Sequence, residues 1–253
     1  MLSNISKNSI QPDAWHSLKA FTAARIALGK TGTAIPLKEI LDFKLAFAHA
    51  RDAVYSLLDT QQLSTELEIF NLPVYSLQSN ADSRPIYLQR PDLGRQLNNE
   101  SKNKLQDSSN EQFDIVIILA DGLSAEAVNK NVFSILQLLM PALQQYAIAP
   151  IVMVQNARVA IGDEIGSILK AKLSLIFIGE RPGLSSSDSL GAYLTFNPTI
   201  GLTDESRNCI SNIRPEGLQY DLATEKILYL IQESMRLQLS GVRLKDNAGS
   251  IEN

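Results

Sequence analysis

The chain has 253 residues, of which 45% are hydrophobic, and a formal net charge of −4. A chain with this acidic balance lacks the basic surface that binds nucleic acids or anionic membranes, so we expect neither as a partner. Its longest apolar runs, such as residues 115–120 and 173–179, are much shorter than a membrane span. The single cysteine cannot form an internal disulfide, and two histidines provide few ligands for a transition metal.

Residues 1–97 are predicted to form a helical N-terminal region. Pro36 stands where a helix can begin, and residues 37–58 contain no glycine or proline. Apolar residues recur there at helical spacing in two series, one through Leu41 and Leu45 and the other through Phe43 and Phe47. The double series predicts a long helix that is covered on more than one side.

Residues 98–112 are almost wholly polar, with Leu105 as their only apolar member. A segment of this composition has little to bury, so it is typical of a solvated linker or a long surface loop. It separates the helical region from residues 113–253, whose pattern is different.

Residues 113–253 alternate between predicted strands and predicted helices. The strands are predicted at residues 114–120, 149–154 and 173–179, and the helices at residues 124–139, 163–171 and 221–239. Alternation of this kind predicts an α/β domain with a Rossmann-like, mostly parallel sheet. Ligands of such sheets bind beyond the carboxyl ends of the strands, which here precede Asp121, Asn156 and Glu180.

The segment Ala24-Arg-Ile-Ala-Leu-Gly-Lys-Thr31 satisfies a permissive phosphate-loop pattern. A phosphate loop needs a strand before it and a helix that opens at the Lys-Thr pair. Here the preceding residues are typical of helix or loop, and Gly32 and Pro36 interrupt the following turn. A structural turn is therefore the favoured interpretation, and a P-loop-type nucleotide-binding protein remains the alternative.

Two polar segments of the second half are candidates for a binding site. Glu180 and Arg181 follow a predicted strand and begin a loop rich in glycine and serine, which can present donors to an amide- or phosphate-bearing ligand. An ordinary surface loop is the alternative there. Cys209 stands among arginine, asparagine and serine residues, so it fits a lined pocket as well as a small buried position in the core.

Six blocks of the sequence, in order, resemble the small subunit of ethanolamine ammonia-lyase. The blocks are Ala24-Arg-Ile-Ala-Leu-Gly29, Leu41-Asp-Phe-Lys-Leu-Ala-Phe-Ala-His-Ala-Arg-Asp-Ala-Val54, Ala120-Asp-Gly-Leu-Ser124, Gly162-Asp-Glu-Ile-Gly166, Gly179-Glu-Arg-Pro-Gly-Leu184 and Asn208-Cys-Ile-Ser-Asn-Ile213. Together they extend over nearly the whole chain. The resemblance implies a carbon–nitrogen lyase subunit that, together with a large subunit in a hetero-oligomer, converts ethanolamine to acetaldehyde and ammonia.

The resemblance also implies a cofactor, adenosylcobalamin, and three residues that contact it: Val159, Glu180 and Cys209. The cofactor carries the chemistry and the large subunit holds the substrate, so no residue of this chain is expected to be catalytic, and the chain alone is expected to be inactive. Neither His16 nor His49 lies in an Asp-x-His-x-x-Gly motif. We therefore expect a base-on cofactor whose cobalt this chain does not ligate. A cobalamin-binding module without a catalytic role is the further alternative.

The N-terminal helical region is expected to contact the large subunit, and Arg51 and Asp52 are either part of that contact or a solvated pair. Residues 1–11 are polar and lack the apolar segment of a signal peptide, which predicts a cytoplasmic protein. Some relatives carry a longer N-terminal extension that is linked to packing in a bacterial microcompartment. Only about a dozen residues precede Asp13 here, which puts such encapsulation in doubt.

Overall fold

The computed structural model describes residues 10–106 and 111–245. Within these residues, six strands form one sheet in the order β1-β3-β2-β4-β5-β6. The strands are β1 (Val74–Gln78), β2 (Phe113–Ala120), β3 (Ile151–Gln155), β4 (Ala171–Gly179), β5 (Leu190–Phe196) and β6 (Arg207–Ile213). The α-helices are α1 (Leu37–Tyr55), α2 (Thr60–Leu67), α3 (Arg84–Gln89), α4 (Asn99–Gln106), α5 (Ala125–Leu139), α6 (Ile161–Ile168) and α7 (Tyr220–Leu237).

The sheet is covered by helices on both faces, because successive residues of its central strand are all apolar. In β2, Ile115, Ile117 and Leu119 belong to one core cluster, which also includes buried residues of α2, α5 and α7. The alternate residues Val116 and Ile118 belong to a second cluster, with buried residues of α4 and α6. A strand that is buried on both faces reads as a continuous apolar run, which is the pattern of β2.

The prediction of a mostly parallel sheet is wrong, since the sheet is mixed. β1, β3, β2 and β4 run parallel to one another, whereas β5 pairs antiparallel with both β4 and β6. The chain passes from β4 to β5 through the loop 180–189, without the helix that a parallel crossover needs. β5 and β6 were not predicted as strands, because glycine interrupts β5 and polar residues occupy much of β6.

The other predicted elements of the second half are present, with small differences at their ends. β2, β3 and β4 and helices α5, α6 and α7 correspond to the predicted strands and helices. Ser124 caps α5, since its hydroxyl accepts a hydrogen bond from the backbone N–H of Ala127. Within the described residues, no helix is long and apolar enough to cross a membrane.

The long helix predicted from Leu37 is α1, but within the described chain it is not covered on more than one side. Ala53 is its one buried residue. Its large apolar residues are exposed, namely Leu37, Ile40, Leu41, Phe43, Leu45, Phe47 and Tyr55. The helix therefore presents an apolar surface that nothing in the described chain covers.

The polar segment 98–112 is not a featureless linker, because its first part is α4. Asn98 accepts a hydrogen bond from the backbone N–H of Ser101, as a helix-capping residue does, and Leu105 is fully buried in the second core cluster. β1, from the region predicted to be helical, joins the sheet beside β3. Residues 107–110 lie outside the described residues, and the division of the chain into domains stays a prediction.

The segment that resembles a phosphate loop has a different geometry. Lys30 pairs with Gln11 in an isolated antiparallel bridge, and Thr31 pairs with Ala34. The next helix, α1, begins at Leu37 and not at the Lys-Thr pair. Without a helix N-terminus at Lys30, the successive N–H groups that hold a phosphate are not assembled, so the structure favours the structural turn.

Candidate ligand cleft

An open cleft of about 440 Å³ lies at the carboxyl ends of β2 and β4. Its lining comprises Tyr87, Gly122, Leu123, Arg158, Val159, Ile178, Gly179, Glu180, Arg181 and Tyr193. Val159 and Glu180, two of the three predicted contact residues, thus line the same cleft. Cys209 is not part of the lining, but it is the register partner of Tyr193, which is. We call this space the edge cleft.

Glu180 is held at the edge cleft by Ser189, which directly precedes β5, and by Asn212 near the end of β6. Its backbone N–H donates to the carbonyl of Ser189, at 2.9 Å. Its carboxylate oxygen Oε2 accepts from the hydroxyl of Ser189 and from the backbone N–H of Asn212. No hydrogen bond from the described residues reaches the other oxygen, Oε1, so that atom keeps its full capacity to accept.

Gly191 provides the space that the Glu180 side chain occupies. A Cβ atom at this position would lie 3.0 Å from Oε1 of Glu180 and 3.2 Å from the ring of Tyr193. Contacts this short require the neighbouring side chains to move. The absence of a side chain at Gly191 therefore sets the position of the carboxylate in the cleft.

Cys209 lies in β6 and is exposed, with its thiol beside the hydroxyl of Tyr193. Partial desolvation raises the pKa of the thiol, the hydrogen bond from Tyr193 lowers it, and the nearby Glu180 carboxylate raises it again, with a raised pKa as the net result. The thiol is therefore protonated at neutral pH, and it offers a small, weakly polar contact surface and no thiolate nucleophile.

Val159 is half-buried in the turn between β3 and α6, and Asp121 holds this turn in place. The Asp121 carboxylate accepts hydrogen bonds from the backbone N–H groups of Asn156, at 2.8 Å, and Ala157, at 3.0 Å. Burial raises the pKa of Asp121, whereas these two N–H groups and the guanidinium of Arg84 lower it. Asp121 thus connects the end of β2 to the turn that presents Val159.

Arg84 joins three parts of the chain behind the cleft. Its Nε donates to the carbonyl of Val54, at 2.6 Å, and its Nη1 donates to the carbonyl of Gly122, at 2.7 Å. The same Nη1 lies 3.4 Å from the carboxylate of Asp121. No sequence pattern assigned a role to Arg84, because its partners lie 30 or more residues away.

Tyr87 is an aromatic residue of this wall that contacts both Arg84 and Arg158, and no sequence pattern indicated its place. Its ring is fully buried, and its hydroxyl donates to the carbonyl of Ala157, at 3.0 Å. The guanidinium carbons of Arg84 and Arg158 lie 4.7 Å and 4.3 Å from its ring centroid. Burial raises the pKa of the Tyr87 hydroxyl, so the group stays protonated as a donor.

A second space of about 570 Å³ adjoins the edge cleft at Arg158 and Val159, which line both. We call it the adjoining cleft, and its other lining residues are Pro91, Arg95, Gln96, Ala160, Asp163, Glu164, Ile200, Gly201, Leu202, Thr203, Asp204 and Arg207. Asp163 and Arg207 form a buried ion pair in its wall. The two clefts share Arg158 and Val159 in their linings, and we call them together the recess.

The linings of the two clefts offer hydrogen-bonding groups and apolar surface to a ligand. Within the described residues, no three His, Cys, Asp or Glu side chains are placed to hold a metal ion. His16 and His49 lie in a short 3-10 helix and in α1, and neither lines the recess. The fold is of the α/β class, and its candidate ligand site lies at the carboxyl edge of its parallel strands.

The sequence pattern of the ethanolamine ammonia-lyase light chain family (EutC) matches residues 12–245. The chain belongs to this family, which is a family of lyase subunits. An ethanolamine ammonia-lyase small subunit of Pseudomonas fluorescens (strain Pf0-1) is 48% identical over 250 residues, which cover 96% of this chain and 91% of that protein.

Ethanolamine ammonia-lyase small subunits from two further species have a similar sequence identity to this chain. That of Pseudomonas aeruginosa (strain UCBPP-PA14) is 48% identical, over 94% of this chain and 90% of that protein. That of Pseudomonas syringae pv. tomato is 45% identical, over 98% of this chain and 88% of that protein. The resemblance identified from the six sequence blocks is thereby confirmed.

Proposed function

We propose that this chain is the small subunit of an adenosylcobalamin-dependent ethanolamine ammonia-lyase, which converts ethanolamine to acetaldehyde and ammonia together with a large subunit. Val159, Glu180 and Cys209 are its proposed contacts with the cofactor. One observation carries the proposal. Val159 and Glu180 line the same cleft, and Cys209 on β6 is the register partner of Tyr193, which also lines that cleft. This arrangement is found in a chain of the matching family.

The groups at the edge cleft fit the periphery of a corrin, which carries amide side chains and apolar methyl groups. Oε1 of Glu180 has no hydrogen bond from the described residues and can accept an amide N–H in a partly dry site. Val159 offers apolar contact, and the protonated thiol of Cys209 offers a weakly polar one. The edge cleft and the adjoining cleft are open, so a large ligand can lie across both.

The division of labour follows from the groups that this chain presents. When bound, the cofactor supplies radical chemistry through cleavage of its cobalt–carbon bond. Glu180 and Val159 bind and orient the corrin, and the walls of the recess exclude water from the side that they cover. Neither histidine lines the recess, and a base-on cofactor whose cobalt this chain does not ligate stays a prediction.

The apolar surface of α1 supports a contact with the large subunit. Seven large apolar residues of the helix are exposed, from Leu37 to Tyr55, and exposed apolar surface of this extent is typical of a protein interface. Arg51 and Asp52 lie at the same end as Tyr55, are well exposed, and are 3.7 Å apart. A pair that is solvated in the free chain can become part of the contact on assembly. Location in the cytoplasm and encapsulation in a microcompartment stay predictions.

The test is to co-produce this chain with a large subunit and to measure acetaldehyde release that depends on adenosylcobalamin. We expect activity in the mixture and none with either subunit alone. A complex that forms and binds the cofactor without activity would leave the chain as a non-catalytic cobalamin-binding module. Failure of several authentic large subunits to form a complex or to gain activity would contradict the proposal, and a titration with ATP would then test nucleotide binding.

A further inference from the structure

Arg158 lies where the two clefts meet, directly before Val159 in the chain, and lines both. Its Nε is buried and has no hydrogen-bond partner among the described residues. A buried guanidinium N–H without a partner is unusual in a folded protein and needs an explanation. A hydrogen-bond acceptor on a bound ligand would explain this N–H group, because it would be the missing partner.

The carboxylates around Arg158 are already engaged by other cations. Asp163 forms its ion pair with Arg207, at 2.8 Å, and Glu164 pairs with Lys102, at 2.8 Å. Asp204 is exposed and lies 3.5 Å from Nε of Arg207. Within the described residues, no acidic side chain forms an ion pair with Arg158, so its positive charge is not neutralised by the protein.

The guanidinium of Arg158 is held in a fixed place although it has no ionic partner. It lies on the ring of Tyr87, and its Nη2 is 3.4 Å from the Tyr87 carbonyl. The backbone N–H of Arg158 donates to the carbonyl of Gly94, at 2.7 Å. A Cβ atom at Gly94 would lie 3.0 Å from Cγ of Arg158, so the absence of a side chain there lets the arginine stem pass. A planar cation that is held in this way is preorganised for an oxyanion.

The proposed cofactor carries one anion outside the corrin ring, the phosphodiester of its nucleotide tail. We infer that Arg158 binds this phosphodiester, with the tail in the adjoining cleft and the corrin at the edge cleft. The inference rests on the proposed function and adds a residue and a ligand group to it. It follows from the place of Arg158 between the clefts, its unsatisfied Nε and its lack of an ionic partner.

Comparing the binding of three corrinoids distinguishes the contact with the phosphate from contacts with the rest of the cofactor. Adenosylcobinamide lacks both the phosphate and the base, adenosylcobinamide phosphate has the phosphate without the base, and adenosylcobalamin has both. The dissociation constant of each is measured from its visible spectrum, with the complex of this chain and the large subunit. We expect Arg158→Met to weaken binding of the two phosphate-bearing corrinoids about 10- to 100-fold. Binding of adenosylcobinamide should stay within about twofold.

Two further variants serve as controls. Arg158→Lys keeps the charge without the planar fork and should retain part of the preference for the phosphate-bearing corrinoids. Arg236→Met removes an exposed arginine that pairs with Glu233 on α7 and lines neither cleft, so it should change none of the three constants. The ratio of two constants from one preparation is independent of the fraction of folded complex, so partial misfolding does not obscure the result.

Two outcomes would overturn the inference. If Arg158→Met weakens the binding of all three corrinoids equally, the residue contacts the corrin or stabilises the fold and does not bind the phosphodiester. If it weakens none of them, the residue makes no contact of importance. A wild-type complex that binds no corrinoid would instead overturn the proposed function, and this inference with it.

Discussion

Arg207 and Asp163 form a bidentate ion pair in the interior of the protein, with N–O distances of 2.9 Å and 2.8 Å. Their side chains are 2% and 3% exposed. Arg207 begins β6, which carries Cys209, and Asp163 lies in the first turn of α6, directly after the turn that carries Val159. One ion pair therefore ties together two of the elements that present the proposed cofactor contacts.

Replacing Arg207 with methionine should destabilise the chain by about 3–5 kcal/mol, because it leaves the Asp163 carboxylate buried without its partner. Chemical denaturation measures the loss. The double variant Arg207→Met with Asp163→Leu should recover much of it, since no buried charge then remains. Equal stability of the single variant and the wild type would show that the pair contributes little.

The loss of folding stability in Arg207→Met should also depend on pH. Burial already raises the pKa of Asp163 in the wild type, and removal of the guanidinium, which lowers it, raises it further. A carboxyl whose folded-state pKa lies above its unfolded-state value destabilises the fold once it is ionised, and the cost is relieved as the pH falls and the group is protonated. Denaturation at pH 5 and pH 8 should therefore show the smaller loss at pH 5.

Gly191→Ala should weaken cofactor binding with little effect on the fold. The added methyl group would lie 3.0 Å from Oε1 of Glu180 and would displace the carboxylate from its place in the edge cleft. A loss of about tenfold in adenosylcobalamin affinity, by spectral titration of the complex, is the expected result. Gly162→Ala is the matched control, because its Cβ would make only ordinary contacts of 3.6 Å or more. The same loss in both variants would contradict this explanation.

Cys209 should ionise above the usual range of a thiol, and its neighbours should shift its pKa in opposite directions. The rate of reaction with a disulfide reagent, measured against pH, reports this pKa directly, because the chain has one cysteine. Glu180→Gln should lower the pKa by removing a negative charge, and Tyr193→Phe should raise it by removing a hydrogen bond. Bound adenosylcobalamin should protect the thiol if Cys209 contacts the cofactor. An unchanged rate in its presence would argue against that contact.

Leu45→Glu should prevent assembly with the large subunit without affecting the fold of the free chain. Leu45 is 58% exposed on α1, so a charge there costs little before assembly and is buried without a partner afterwards. Size-exclusion chromatography of the mixed subunits measures the complex. Leu138→Glu, at an exposed leucine of α5, is the matched control and should assemble normally. Arg51→Glu tests the charged end of the same surface and should weaken assembly to a smaller degree.

The sequence predicts best those parts of the fold that consist of long apolar runs. β2 and β4 are such runs, and α5 has both a regular apolar period and a serine cap. β1 and β6 were missed, because neither has such a run and polar residues occupy much of β6. The predicted parallel order was wrong for the same reason, since no pattern indicated that the chain returns along β5.

The candidate site, like the fold, could be predicted from the sequence only in part. The position of Glu180 directly after a strand follows from topology alone, as does the place of Val159 in a turn that follows a strand. The place of Cys209 beside Tyr193 depends on an antiparallel pairing that the sequence did not indicate. The contact of Tyr87 with the carbonyl of Ala157 joins residues 70 positions apart, and no local pattern reports a contact at that separation.

The exposed apolar residues of α1 also bear on how the free chain behaves before it meets a partner. Water disfavours such a surface, so copies of the chain that lack a large subunit should associate with one another as their concentration rises. Salts that strengthen apolar contacts, such as sulfate, should increase this tendency. Production of the chain in soluble form would then be limited by the supply of its partner, because one helix makes the unassembled subunit prone to aggregate.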